Sequence, residues 1–472
     1  MKRVAAIDQG TTSTRVLVVN EDGTMAIAHA VRHAQHHRHA GWVEHDPQEL
    51  LANVEACLAA AGDVDALGID NQGESCLAWD AVTKAPLSDI IVWQDRRTAE
   101  RIEALRAEGA QALTLERAGL PLDAYFSAAK LGWLVEHQPG VSAALRAGRL
   151  RLGTTDAWFL DRLTGRFVTD TTTASRTSLM NLASGQWDPD LCELFGVPVE
   201  TLPEICESVG DFGGIGRARV SASIVDQQAA LYGHGCRAPG DAKITFGTGA
   251  FALALTGASI VRAPEQGLLP TVAWHLDGEV AYAVDGGVYD ASSAVEWAAR
   301  LGLFGDTSEI ADFASPAAIS RGLAFVPALS GLACPHWDRS AGATWIGMHA
   351  STQRADLCQS LLEGVALSAV EVIEAMRAHV SVADRLSVDG GLTQNRYFVQ
   401  FLADMLERTV ITQRFHELTA YGCASLAARG AGIVLPPREG DVTVYEPSRS
   451  AAFVGEARAR FADAVARTRR WH

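Results

Sequence analysis

One short pattern occurs twice, about half a chain apart, and it limits the folds open to this sequence. Near the start, an apolar run at residues 4–7 leads into Asp8-Gln9-Gly10-Thr11-Thr12-Ser13. A β-branched run at residues 15–19 follows, closed by the turn Asn20-Glu21-Asp22-Gly23. The same shape returns at residues 242–246, Gly247-Thr248-Gly249 and residues 250–255. Two strand-turn-strand units with Gly/Thr turns predict a duplicated domain. The turn-rich stretch Arg237-Ala238-Pro239-Gly240 marks the join, giving units 1–238 and 239–472.

Helical and strand patterns alternate through both halves, which indicates an α/β fold. Residues 47–61 read as a helix and 66–69 as a short strand. Residues 352–376 give the clearest helix, with Leu357, Leu361, Val365 and Ala369 on one face. A strand at 385–388, the turn Asp389-Gly390-Gly391 and a helix from about Asn395 follow. Residues 455–472 read as a surface helix rich in Ala and Arg.

Composition narrows the partners. The 472 residues are 48 % hydrophobic, enough for sizeable cores, and carry a formal net charge of −16. That acidity argues against nucleic acid as the partner, since duplex binding draws on clustered Lys and Arg. The eight cysteines form no CxxC pair, so neither a zinc knuckle nor a redox motif is present. They read as reduced thiols, and a cytoplasmic location is expected. No uninterrupted apolar stretch is long enough to cross a bilayer, so no membrane partner is expected.

Glycine lets a phosphate approach the backbone, and Thr or Ser hydroxyls add donors. Either Gly/Thr turn alone is an ordinary hairpin. The two together, with Asp389-Gly390-Gly391 at a strand-to-helix turn, point to a split phosphate cradle. No GxxxxGK[ST] is present, so the chain has no P-loop. Asp226-Gln227-Gln228 follows the strand-like residues 220–225. An Asp at such a place either caps a helix or accepts the proton of a substrate hydroxyl.

Several longer segments carry a resemblance. They are Gly41-Trp42-Val43-Glu44-His45-Asp46-Pro47, Ile91-Val92-Trp93-Gln94-Asp95-Arg96-Arg97-Thr98, and residues 170–177 with their Ala-Ser-Arg-Thr. Asp226-Gln227-Gln228-Ala229-Ala230-Leu231, Phe246-Gly247-Thr248-Gly249, residues 327–331 with Trp337-Asp338, and Asp389-Gly390-Gly391 complete the set. With the opening turn they run nearly end to end. Together they make the chain resemble the FGGY carbohydrate kinases, and among these it is most similar to the glycerol kinases.

The resemblance implies two actin-like, ribonuclease-H-like domains around an active-site cleft, with ATP and Mg²⁺ bound there and a small polyol or sugar as acceptor. A homo-oligomer is compatible with it. It implies Asp226 as general base and Asp8, with Asp226, at the metal. It sets Thr11, Thr12, Ser13, Arg15, Thr248 and Gly249 beside the phosphates, and Gly391 and Asn395 around the adenosine. Ser292 and Glu296 fall at further nucleotide positions, with side-chain types that differ from the family's. Glu74, Tyr125, Asp226 and Gln227 fall at acceptor positions, with Trp93 and Phe251 as apolar walls. A carboxylate and an amide for hydroxyls, with aromatic rings for C–H faces, suit a small polyol.

One departure bears on specificity. Glycerol kinases read Asn-Gln-Arg-Glu where this chain has Asn71-Gln72-Gly73-Glu74. Loss of that Arg predicts room for a longer polyol or sugar. A ketose kinase of the same family is a second reading, opposed by the lack of a Met-His pair after Gln72. A non-metabolic actin-like ATPase is a third, opposed by the polyol-shaped set of Glu74, Tyr125 and Asp226. His33, His36, His37, His39 and His45 cluster without a clean ligand spacing and leave metal binding there open.

Overall fold

The computed structural model describes residues 1–436, 438 and 442–471. The first repeat folds as predicted: β1 (Arg3–Gln9) and β2 (Ser13–Asn20) pair antiparallel, and β3 (Met25–Arg32) extends the ribbon. Helix α1 (Pro47–Ala61) then carries the chain across to β4 (Ala66–Asn71), which lies parallel to β1. Asp46 caps α1 by accepting from the Gln48 amide, and Pro47 sits where no amide is needed. Strand β5 (Ala218–Val225) adds parallel to β4, giving the order β3-β2-β1-β4-β5 with a short outer strand, Gly214–Ile215. Helix α2 (Asp226–Gly233) follows directly.

The second repeat builds the same order from different residues. Strands β6 (Ala242–Phe246), β7 (Ala250–Gly257) and β8 (Glu279–Val288) form the antiparallel ribbon. Helices α3 (Ser292–Arg300) and α4 (Arg354–Arg377) lead to β9 (Arg385–Gly390), parallel to β6, and β10 (Thr409–Gln413) follows it. The order is again β8-β7-β6-β9-β10, with Leu269–Leu276 and Val442–Tyr445 on the edges. Two α/β units of one topology make the duplicated actin-like architecture. A surface helix, Ala451–Thr468, closes the described chain, starting four residues ahead of the predicted 455.

Strand alternation decides where each sheet buries its side chains. In β1, Ala5 and Ile7 join Leu50, Leu51 and Val54 of α1 in one core, while Val4 and Ala6 face the opposite layer. That opposite layer is supplied from the other end of the chain. Helix α5 (Leu418–Gly430), which follows β10, lays Ala420, Cys423, Leu426 and Ala427 against the first sheet. It crosses α2 so closely that a Cβ on Gly422 would stand 1.9 Å from the Ala229 carbonyl oxygen. Small residues on α5 make this approach feasible, and the helix ties the two units together. No helix among the described residues is long and apolar enough to cross a membrane. All eight cysteines are free thiols.

Candidate active site

The parallel strands of the first sheet end along one edge. Asp8 of β1 lies in register with Asp70 of β4, and Asn71 with Val225 of β5. Past that edge come the Gly10–Ser13 turn, Glu74, and Asp226 at the start of α2. In the second sheet, Phe246 pairs with Gly390, which sets the Gly247–Gly249 turn beside Gly390-Gly391. Gly390 has φ +97°, and a Cβ there would stand 2.2 Å from the Phe246 carbonyl oxygen. Only glycine fits that bend.

A cavity of about 150 Å³ lies between the two edges. Glu74, Trp93, Tyr125, Asp226, Gln227 and Phe251 all wall it, so the six predicted acceptor residues come together. Trp93 is set by its indole N–H, which donates to Thr11 Oγ1 at 3.0 Å, and its ring meets Tyr125 edge-on. Gln227 is held by Lys243, whose Nζ donates to its side-chain oxygen at 2.5 Å and to Thr245 Oγ1 at 2.8 Å. Asp226 Oδ1 accepts from the Gln227 amide at 2.6 Å. It is the first residue of α2, after Val225 at the cap, so its carboxylate sits at a helix N-terminus rather than capping one.

Three further groups at the site escaped sequence reading. Arg176 also walls the cavity; its Nε donates to Glu74 Oε1 at 2.7 Å and its Nη2 lies 3.4 Å from Asp285 Oδ2 of β8. Burial alone would weaken its proton affinity, but Glu74 and Asp285 outweigh that and keep it charged. The signal was present in the Ala-Ser-Arg-Thr of residues 170–177. Lys243 and Asp285 gave none, because each lies inside an apolar strand pattern. Gly73 is not part of the wall. Its φ is +62° and a Cβ there would meet Val225 Cγ1 at 3.4 Å, so the expected added room does not lie at Gly73.

The electrostatics suit proton transfer. Burial, reinforced by the charges of Glu74 and Asp8, raises Asp226 to about 7, against the Gln227 amide and Lys243, which lower it. A carboxylate titrating there is matched to a base working near neutrality. Tyr125 is driven well above the ordinary phenol value by burial and by Glu74, so it stays a neutral donor. Asp70, fully buried, is raised well above the carboxylate range by burial and by Asp8 and Asp226.

The two Gly/Thr turns lie one on each sheet, between β1 and β2 and between β6 and β7. Thr12 and Thr248 are exposed at their tips. Arg15 reaches across the units, with Nη1 at 2.7 Å from Glu417 Oε2, Nη2 donating to Ser13 Oγ at 2.9 Å, and Nε 3.6 Å from Asp8. The Ser292 and Ser293 amides donate to the Gly247 and Thr248 carbonyls, which docks the start of α3 on the second turn, and Gly249 lies buried beneath it. Gly391 has nothing within 4 Å of a Cβ position, leaving an open backbone surface. Asn395 is engaged otherwise: its Oδ1 caps the next helix through the Phe398 amide and its Nδ2 donates to the Ile310 carbonyl. Glu296 is exposed on α3. His33 of the histidine cluster lies 3.0 Å from the Thr11 carbonyl oxygen and packs edge-on against His45. No group of three or more metal-ligating side chains occurs among the described residues.

Comparison with known proteins agrees with this geometry. The model of the N-terminal domain of the FGGY family of carbohydrate kinases matches residues 4–228, and that of its C-terminal domain matches 242–431. The chain is 40 % identical to a glycerol kinase of Alkalilimnicola ehrlichii, covering 100 % of this chain and 99 % of that one. It is 43 % identical to a glycerol kinase of Thermus brockianus over 92 % and 90 % of the two chains. Among solved structures, Plasmodium falciparum glycerol kinase with ADP superposes with a TM-score of 0.92 at 30 % identity, covering 99 % and 98 %.

Proposed function

The chain belongs to the FGGY family of carbohydrate kinases and is an ATP-dependent kinase of a polyol or sugar hydroxyl; from that premise we propose that it phosphorylates a terminal hydroxyl of a small polyol, with Asp226 as general base. The observation that carries this reading is the single cavity in which Asp226 stands with Glu74, Arg176, Gln227 and three aromatic rings. Glycerol, named for the relatives above, is the reference acceptor.

Each group then has a task. Glu74 accepts from one acceptor hydroxyl, and Arg176, steadied by Glu74 and Asp285, donates to a neighbouring one. Arg176 thereby supplies the guanidinium that Gly73 does not. Trp93, Tyr125 and Phe251 cover the carbon chain and keep water from the reacting oxygen. Asp226 takes the hydroxyl proton as the oxygen attacks the γ-phosphorus of ATP and ADP leaves. The two Gly/Thr turns, one from each unit, hold the phosphate chain with backbone amides and the Thr11, Thr12, Ser13 and Thr248 hydroxyls. Arg15 neutralises phosphate charge, and Gly249, Gly391, Asn395, Ser292 and Glu296 complete the nucleotide side, Asn395 by shaping the turn. Mg²⁺ fits the acidic edge: an ion shared with phosphates needs only one or two carboxylates, and Asp8 and Asp226 supply them. Bound there, it would neutralise charge on the transferring group. Residues 1–238 and 239–472 are the two units on this reading, with α5 crossing between them.

A coupled assay of ADP release with glycerol, erythritol, xylitol and xylulose tests the assignment. Turnover with a small polyol, reduced by about 10²–10⁴ in Asp226→Asn, is expected. Asp226→Asn turnover within threefold of wild type would reject Asp226 as the base.

A further inference from the structure

Lys243 is fully buried, and no step of the proposed reaction uses it. Alternation along β6 puts Ile244 and Phe246 into the apolar core and turns Lys243 and Thr245 to the opposite face, where α2 begins. There Lys243 Nζ donates to Gln227 Oε1 at 2.5 Å and to Thr245 Oγ1 at 2.8 Å. Across the parallel pair, Lys243 lies in register with Ser387 and Thr245 with Asp389 of β9. The far end of α2 returns to the same two residues of β9: His234 Nδ1 lies 2.6 Å from Ser387 Oγ, and its Nε2 lies 3.2 Å from Asp389 Oδ2. Burial would raise the Asp389 carboxyl, but His234, Lys243 and the Thr245 hydroxyl overcome it and lower it to about 2. A continuous buried set therefore runs from Gln227 in the acceptor cavity through Lys243 and Thr245 to Asp389, which leads into the Gly390-Gly391 turn.

We infer that Lys243 is a positioning residue with two effects: it fixes the Gln227 amide as a donor to the acceptor, and it couples acceptor binding to nucleotide binding at the Gly390-Gly391 turn. The inference rests on the kinase reading and deepens it. Its first part follows from donor chemistry. An ammonium carries donors and no acceptor, so it meets Gln227 through Oε1. That leaves Nε2 for the cavity that Gln227 walls, where an acceptor hydroxyl oxygen receives its N–H. The second part follows from register. The β6–β9 pairing that sets Thr245 against Asp389 also sets Phe246 against Gly390. A nucleotide that orders this turn therefore orders Thr245, Lys243 and Gln227 with it. An acceptor that holds Gln227 favours the same arrangement, so the coupling is reciprocal.

The test uses whichever of glycerol, erythritol, xylitol and xylulose turns over fastest by coupled ADP release. Calorimetry then gives its affinity with and without a non-hydrolysable ATP analogue. In the wild type the analogue should tighten acceptor binding about fivefold or more. Lys243→Met should weaken acceptor binding without nucleotide by roughly three- to tenfold, as loss of one oriented hydrogen bond does, and bring the coupling to within about twofold of none. Thr245→Val keeps the Lys243–Gln227 contact and cuts the link to Asp389. It should abolish the coupling while acceptor binding without nucleotide stays within about twofold of wild type. A Lys243 that only neutralises buried acids would lower the melting temperature of Lys243→Met and leave both binding readings at wild-type values. That result overturns the inference, as does a wild type without coupling; should Lys243→Met fail to fold, wild-type coupling in Thr245→Val overturns it. In each case turnover leaves the kinase reading intact. No turnover of any of the four acceptors, with ATP still bound, overturns both.

Discussion

In the proposed mechanism Asp226 and Arg176 act in opposite ways, one through a charge the fold resists and the other through a charge it locks in. Asp226 is raised from 3.8 to about 7 because its ionised form is buried beside Glu74 and Asp8. Two consequences follow. The acceptor kcat/KM should climb with pH as Asp226 deprotonates, because only that form accepts a proton, with a midpoint at or below about 7, since a Mg²⁺ held by Asp8 and Asp226 favours the ionised form; a pH–rate profile flat from 4.5 to 8.5 would contradict this. Its stability linkage has a definite sign. Below about 4 the group is neutral folded and unfolded and costs nothing; above about 7 the folded state carries the full penalty of the buried charge. Asp226→Asn should therefore melt above wild type at pH 8, with the gap narrowing towards pH 5, even as activity falls. Arg176 is the reverse. Its side chain is only 7 % exposed and bridges Glu74 and Asp285, so Arg176→Met leaves two buried carboxylates uncompensated. Loss of roughly 3–5 kcal/mol of stability is expected from chemical denaturation. Arg176→Lys retains charge without the forked donor set and should lower acceptor kcat/KM by about tenfold with nucleotide affinity unchanged.

At the scale of elements, the α2–α5 crossing matters because Asp226, the base proposed above, opens one of the two helices. Gly422 lies against the Ala229 carbonyl, and Gly233 similarly against that of Leu418, with 2.0 Å to a Cβ position. A methyl at either point pushes the helices apart. Gly422→Ala should cost about 1–3 kcal/mol, as overpacking does, and displace Asp226 relative to β5. Activity is expected to fall more steeply than stability, read as a drop in kcat at a temperature where circular dichroism still shows the folded state. A variant with wild-type melting and wild-type kcat would show that the crossing tolerates separation.

For the whole molecule, the decisive fact is that the two Gly/Thr turns, proposed above to hold the phosphates, sit on different sheets. Gly10–Ser13 belongs to the first and Gly247–Gly249 to the second, with Arg15 and Glu417 reaching from one unit to the other. A triphosphate gripped from both sides draws the units together, which shields the transferring group from water. The radius of gyration from solution scattering should decrease when ATP analogue and acceptor are both present, and less with either alone. An unchanged radius with both bound would mean that the cleft is already in its working form.

Much of this organisation was legible in the amino-acid order, because local rules write themselves there. The two Gly/Thr hairpins, the capped helix at 47–61, the long helix reaching 376 and the Gly390 bend each follow from periodicity, capping or backbone freedom within a few residues. That Glu74, Trp93, Tyr125 and Phe251 share one cavity follows only from motif resemblance, since nothing local joins residues so far apart. What the sequence could not disclose depends on which distant atoms share one low-dielectric space. Lys243 is a cation inside an apolar strand pattern until Gln227 comes within 2.5 Å of it. Arg176 is one arginine among many until Glu74 and Asp285 enclose it. The place of α5, folded onto the first sheet from the far end of the chain, has no local signature, because burial against β1 and β4 is settled only when all layers pack. Gly73 shows the same limit. The missing side chain could be read from the sequence, but where the cavity has room, and whether that room is polar, is a property of packing between the two units.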